Sequence, residues 1–215
     1  MSPSPRTPPP PDAGAPPVVP RREPRDPEAM LQRALAEWGG QDDLWIFGYG
    51  SLIWRPDFPF QERRAALVHG WHRALKMWSS VNRGTPDCRG LVFGLLTGGS
   101  CKGMVFRVQG AQARQTLIEL WKREMVTGVY DPRWLPLRTA QGPVRALAFT
   151  LSRHSPHHTG ELSDAQYRSI FATATGRFGT TRDYVHATYA SLREMGIEDK
   201  ALARILRLAQ AEAPG

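Results

Sequence analysis

Apolar residues recur at helical spacing at Leu31, Ala34, Leu35 and Trp38, which predicts a first helix. Asp26-Pro27-Glu28 reads as its N-cap, a proline at the first helical position and an acid in the first turn, and Gly39-Gly40 stops it. Between residues 44 and 108 the period shortens. Strand-like runs fall at 44–48, 65–78, 91–96 and 101–108, and the last alternates Met104, Phe106 and Val108 against Gly103, Val105 and Arg107. Helical spacing returns over 111–125, followed by two strands near 133–139 and 143–151. In the C-terminal third Ser163-Asp164-Ala165-Gln166 forms a capping box, with Leu162 and Tyr167 as a hydrophobic staple and Tyr167, Ile170 and Phe171 facing inward. A helix over 182–195 ends at Gly196. A last amphipathic helix carries Leu202, Ala203, Ile205, Leu206 and Ala209, with Arg204 and Arg207 off that face. About six strands come mostly before the helices, which favours an α+β fold with a largely antiparallel, closable sheet over a doubly wound one.

Composition narrows this further. The 215 residues suit one sizeable core. The longest apolar runs, such as Leu91 to Leu96, are about half a dozen residues where a bilayer span needs roughly 20, so no membrane helix is expected. Eleven of the 19 prolines lie in residues 1–29, which reads as a disordered, polyproline-biased leader before a single domain at 30–215. Proline stands where a secretory signal would need its apolar stretch. Four basic and four acidic residues cancel in the leader, so the whole net charge of +8 belongs to the domain. The pI near 10.1 permits nucleic-acid binding, but the Lys and Arg residues are scattered singly, which argues against it. Cys88 and Cys101 form no CxxC pair, and two reduced thiols in a cytoplasmic protein is the simplest reading.

Two places carry candidate chemistry. In Phe47-Gly48-Tyr49-Gly50-Ser51-Leu52-Ile53-Trp54 a strand meets two glycines flanking a tyrosine. Free N–H groups there could cradle a carboxylate or phosphate; equally, the strand could simply bend at a barrel corner. Ile53 stands where a dinucleotide fingerprint needs its third glycine, and Ser51 lacks the spacing of a nucleophile elbow. The second place is Glu124, which continues the inward stripe of Leu117, Leu120 and Trp121, whereas Glu119 lies about 140° around the helix. A carboxylate buried without a full partner becomes a better base near neutral pH. The alternative is that Glu124 pairs with a buried arginine such as Arg73, or ends the helix facing water. His69 and His72, three apart in a strand, point to opposite faces; His154, His157 and His158 around Pro156 read as a solvated turn. No metal site is expected from either set. The seven tryptophans read mostly as core or pocket wall.

The segment Trp45-Ile46-Phe47-Gly48-Tyr49-Gly50-Ser51-Leu52-Ile53-Trp54-Arg55-Pro56-Asp57-Phe58 strongly resembles the signature of the ChaC family of γ-glutamylcyclotransferases, glutathione-specific branch. Further matches are Gly70-Trp71-His72-Arg73, Arg83-Gly84-Thr85-Pro86, Trp121-Lys122-Arg123-Glu124-Met125, Gly128-Val129-Tyr130 and Gly179-Thr180-Thr181-Arg182-Asp183-Tyr184. The resemblance implies a γ-glutamylcyclotransferase-like α+β fold, a small mixed or antiparallel β-barrel flanked by helices. It also implies a cytoplasmic enzyme without metal or organic cofactor that cyclises glutathione to 5-oxoproline and Cys-Gly. In such proteins Tyr49-Gly50-Ser51-Leu52 would hold the γ-glutamyl end, with Phe47 and Gly48 also expected among the substrate-binding residues, and Glu124 would be the catalytic acid/base. Arg73 as electrostatic partner and Tyr184 as pocket hydroxyl complete the expected site, and a monomer is expected. Where relatives read Pro-Gly-Arg this chain has Arg89-Gly90-Leu91, so that arginine's role is not carried over. The competing readings are a cyclotransferase for other γ-glutamyl peptides or amines, and a non-catalytic regulator of cation transport.

Overall fold

The structure, a computed structural model, describes residues 25–126 and 128–210. Residues 1–24 of the expected leader lie outside the described residues, while 27–29 form the first turn of α1, so the expected boundary at 29 falls inside that helix. Helix α1 (Pro27–Trp38) begins where Asp26 Oδ1 accepts from the Glu28 and Ala29 amides, and it ends on Gly39 in the left-handed region.

Five strands close into a barrel in the order β1-β3-β2-β4-β5: β1 (Leu44–Gly48), β2 (Glu62–Ser79), β3 (Gly90–Val108), β4 (Asp131–Thr139) and β5 (Gly142–Thr150). Every pairing is antiparallel except the closing one, where β1 meets β5 in parallel through Ile46 and Leu147. The runs expected as separate strands at 91–96 and 101–108 are one strand. Thr97-Gly98-Gly99-Ser100 has turn composition, but β2 carries a matching irregularity between His69 and Trp71, so the two long strands bend together without parting. A two-stranded hairpin, β6 (Thr175–Gly176) with β7 (Gly179–Thr180), lies apart from the barrel.

Phe47, Val68, Leu95, Val105 and Phe106 fill one core cluster; α3 (Asp164–Thr173), α4 (Thr181–Glu194) and α5 (Lys200–Gln210) add Phe171, Val185 and Leu206. A second cluster packs α1 and α2 (Gly110–Glu124) against the sheet through Leu31, Leu35, Leu117 and Trp121. Each such large side chain contributes roughly 1.5–3 kcal/mol of burial. Capping boxes at Ser163 and Thr180 fix the starts of α3 and α4, the latter delivering Tyr184 one turn into its helix. Among the described residues no helix is long and apolar enough to cross a membrane.

Candidate active site

Strand β1 ends at Gly48, and the chain then makes a single 3₁₀ turn, Ser51–Ile53, closed by the Ile53 amide donating to the Gly50 carbonyl at 3.0 Å and the Trp54 amide to that of Ser51 at 3.2 Å. A turn of this kind supplies no internal acceptor for its first amides, here those of Ser51 and Leu52. Gly50 is required by close approach: a Cβ there would lie 2.6 Å from the Tyr184 hydroxyl.

A small cleft opens over this turn, lined by Tyr49, Gly50, Ser51, Leu52, Phe93, Glu124, Tyr130, Phe149 and Tyr184. Glu124 is the last residue of α2, with its side chain 16% exposed. Its ion-pair partner is the adjacent Arg123, whose Nε lies 3.1 Å from Oε1. Burial pushes the Glu124 carboxyl above its ordinary value, and Arg123 offsets part of that rise. The same guanidinium donates to the carbonyls of Arg55 (2.8 Å) and Pro56 (3.1 Å), to Asp57 (3.2 Å) and to Ser51 Oγ (3.4 Å). One arginine thus ties the 3₁₀ turn to the end of α2, and its charge is divided among several oxygens.

Three phenols line the same cleft as Glu124. Tyr49 donates to the Phe149 carbonyl at 2.6 Å, and Tyr184 accepts from the Phe93 amide at 3.3 Å. Burial raises Tyr184 to about 12 and drives Tyr49 and Tyr130 well above the usual tyrosine value, with the nearby Glu124 carboxylate adding to each rise. All three therefore stay protonated at neutral pH and present hydroxyls. Beneath Tyr184 lies the buried Arg83, its guanidinium 5.2 Å from the ring centroid, anchored on the Phe178 and Thr180 carbonyls.

The expected site residues divide accordingly. Tyr49, Gly50, Ser51, Leu52, Glu124 and Tyr184 come together, whereas Phe47 is fully buried in the core and Gly48 packs against Leu52 and Phe106 behind the turn. Arg73 is not the partner of Glu124. Its buried guanidinium bonds Asp199 Oδ2 at 2.7 Å and the Tyr49 carbonyl at 2.7 Å, because β2 directs it towards the start of α5. It steadies the turn from outside the cleft. Arg123, Phe93, Phe149 and Tyr130 were not singled out from sequence; adjacency to Glu124 and the Gly128-Val129-Tyr130 match were the available signals. In the departing segment Arg89 stacks on Trp78, and Leu91 is fully buried with its amide donating to Thr181 Oγ1 at 2.9 Å. Among the described residues no three His, Cys, Asp or Glu side chains gather as metal ligands.

Comparison with known proteins follows the same outline. The ChaC-like protein family matches residues 44–212. A protein named glutathione-specific gamma-glutamylcyclotransferase from Escherichia coli (strain K12) is 34% identical over 179 residues, 83% of this chain and 78% of its own. Glutathione-specific gamma-glutamylcyclotransferase 1 of Homo sapiens is 30% identical over 202 residues, covering 91% of this chain and 90% of its own. Among solved structures, a glutathione-specific cyclotransferase from yeast superposes with a TM-score of 0.72 at 19% identity, over 79% of this chain and 96% of that one, and shares the fold. The barrel, the turn after its first strand and the family match over residues 44–212 place this chain in the ChaC-like protein family.

Proposed function

We propose that the protein is a γ-glutamylcyclotransferase that degrades glutathione, releasing 5-oxoproline and Cys-Gly, with Glu124 as the general acid/base. The observation that carries the site assignment is the placement of a largely buried, partly compensated carboxylate in one small cleft with the 3₁₀ turn that follows β1. The substrate class rests on relatives whose names specify glutathione.

The chemistry follows from the substrate. The α-amine of the γ-glutamyl group attacks its own γ-carbonyl carbon, one C–N bond forms, the amide bond to cysteine breaks, and no water is consumed. The attacking amine must lose a proton and the departing amine must gain one, so a single carboxylate can take the first and return it. The amides of Ser51 and Leu52 would grip the α-carboxylate, folding the chain so that amine and carbonyl meet. The phenols of Tyr130 and Tyr184, held protonated by burial, are donors available to the oxyanion that develops on the γ-carbonyl. Because the base works ionised, turnover falls as pH drops through the raised pKa of Glu124.

The test is incubation of the purified chain with glutathione while 5-oxoproline and Cys-Gly are followed by chromatography, with Glu124→Gln alongside. Equimolar products from wild type and a loss of about 10²- to 10⁴-fold in the variant are expected. Near-normal turnover by Glu124→Gln would remove the base assignment; an inert wild type that still cyclises γ-glutamyl amino acids would remove the substrate.

A further inference from the structure

The end of α2 is an unfavourable place for a carboxylate. The negative pole of the helix lies there, the side chain is only 16% exposed, and the helix stops at once, Met125 having left helical geometry (φ −110, ψ 18). Something must hold this turn, and residues 25–27, which lead into the first turn of α1, do so from outside. The carbonyl of Pro27 accepts from Trp121 Nε1 at 2.7 Å, three residues before Glu124. Arg25 donates to the Tyr130 carbonyl at 2.7 Å and pairs with Asp131. Between these pins the strap lies flat on Gly128: a Cβ added there would sit 3.3 Å from Arg25 Cβ and 3.5 Å from Pro27 Cγ. Both ends of the segment that presents Glu124 and Tyr130 are therefore fastened to residues 25–27, which precede the family match at residue 44.

We infer that Arg25 and the Pro27 carbonyl are positioning groups for Glu124, clamping the segment from Trp121 to Asp131 so that the carboxylate stays at the back of the cleft beside Tyr130. The role rests on the cyclotransferase reading only for its effect on turnover. The groups facing Glu124 are Arg123 from α2, Tyr49 and Ser51 from the turn after β1, Tyr130 from the segment before β4 and Tyr184 from α4; Arg55 and Asp57 reach it through Arg123. Changing Arg25 replaces none of these side chains, and of them only Tyr130 is bonded to it, through its carbonyl. What changes is how tightly the segment closes over the carboxylate and how much water reaches it.

The experiment compares full-length wild type, Arg25→Ala and Arg25→Lys by ¹³C-glutamate NMR, with the Glu124 carboxyl signal identified by its absence in Glu124→Gln. In Arg25→Ala the Glu124 titration should move towards the ordinary glutamate value. The turnover number for glutathione should fall roughly tenfold with KM within about twofold, the pattern of a displaced catalytic group, and Arg25→Lys should recover most of both. A folded Arg25→Ala whose Glu124 titrates where wild type does overturns the inference. If Arg25→Ala does not fold, Trp121→Phe removes the other pin while keeping a ring beside Phe149, and the same shift or its absence decides. A wild type inert towards glutathione would refute the proposed substrate, and the titration would still decide the strap.

Discussion

Two clefts open beside the barrel and share the side chain of Phe93, yet they treat charge in opposite ways. The larger opens between β2, α3 and α5, and its charges are matched in pairs: Arg73 with Asp199 at 2.7 Å, Arg204 with Asp164 at 3.0 Å, and Lys76 with Glu161. The smaller holds Glu124, whose arginine is shared with Asp57, Ser51 and two carbonyls. A carboxylate with incomplete compensation is the group that can take and return a proton near neutral pH; a fully paired one is held ionised and inert.

Substitutions on the two sides of this contrast should therefore separate activity from stability. Glu124→Gln has the largest expected effect on turnover, and its effect on stability should run the other way. The native carboxyl is raised above its ordinary 4.5, so between that value and the native one the folded state binds more protons than the unfolded state, and stability falls as pH rises through that window. The glutamine variant should thus be more stable than wild type above the window and equal to it below, as read from denaturant midpoints at several pH values. Arg73→Met is the opposite case. It leaves Asp199 unpaired and takes a donor from the Tyr49 and Lys102 carbonyls, at a cost of about 3–5 kcal/mol, measured by urea unfolding. Its folded fraction should retain far more turnover than Glu124→Gln; equal losses would mean that Arg73 acts on the reaction itself.

What could be read in the sequence tracks how local the cause was. The helix at Pro27–Trp38 and the strand at Leu44–Gly48 follow from caps and a period visible within a dozen residues. The placement of Glu124 against the core was also legible, because a carboxylate interrupting Leu117, Leu120 and Trp121 is a local anomaly. The continuity of β3 was not, since Gly98-Gly99 reads as a turn unless the bend of β2 opposite is known. The partner of Arg73 is hidden for the same reason: Asp199 lies 126 residues on, and only the packing of α5 brings the two together. The Arg123–Glu124 contact is not legible from periodicity, because neighbours on a helix diverge by about 100° and only their long side chains bring Nε and Oε1 to 3.1 Å.

A sharper probe of the smaller cleft is Gly50→Ala. The new methyl would meet the Tyr184 hydroxyl at 2.6 Å, so the turn or α4 must shift by several tenths of an ångström. Overpacking of this kind costs about 1–3 kcal/mol. The displaced amides should raise KM for glutathione more than they lower the turnover number. Adding Tyr184→Phe removes the clashing oxygen, so the double variant should recover part of the binding lost by Gly50→Ala. Simple additivity of the two losses would place the clash elsewhere.

The smallest effect is expected at the rim of the larger cleft. Arg204 and Asp164 are 65% and 48% exposed, and a pair so open to solvent offsets little of the side-chain entropy it costs. Arg204→Ala should leave the melting temperature within about 1–2 °C of wild type, with the small difference shrinking as salt is added. Turnover should not change, because the charges of this cleft are balanced locally and Arg73, which joins it to the Tyr49 carbonyl, keeps Asp199 whether or not Arg204 is present. A change in the turnover number would show instead that the two clefts communicate. The side chains that touch both sides, Phe93 and Arg73, would then be the first to replace.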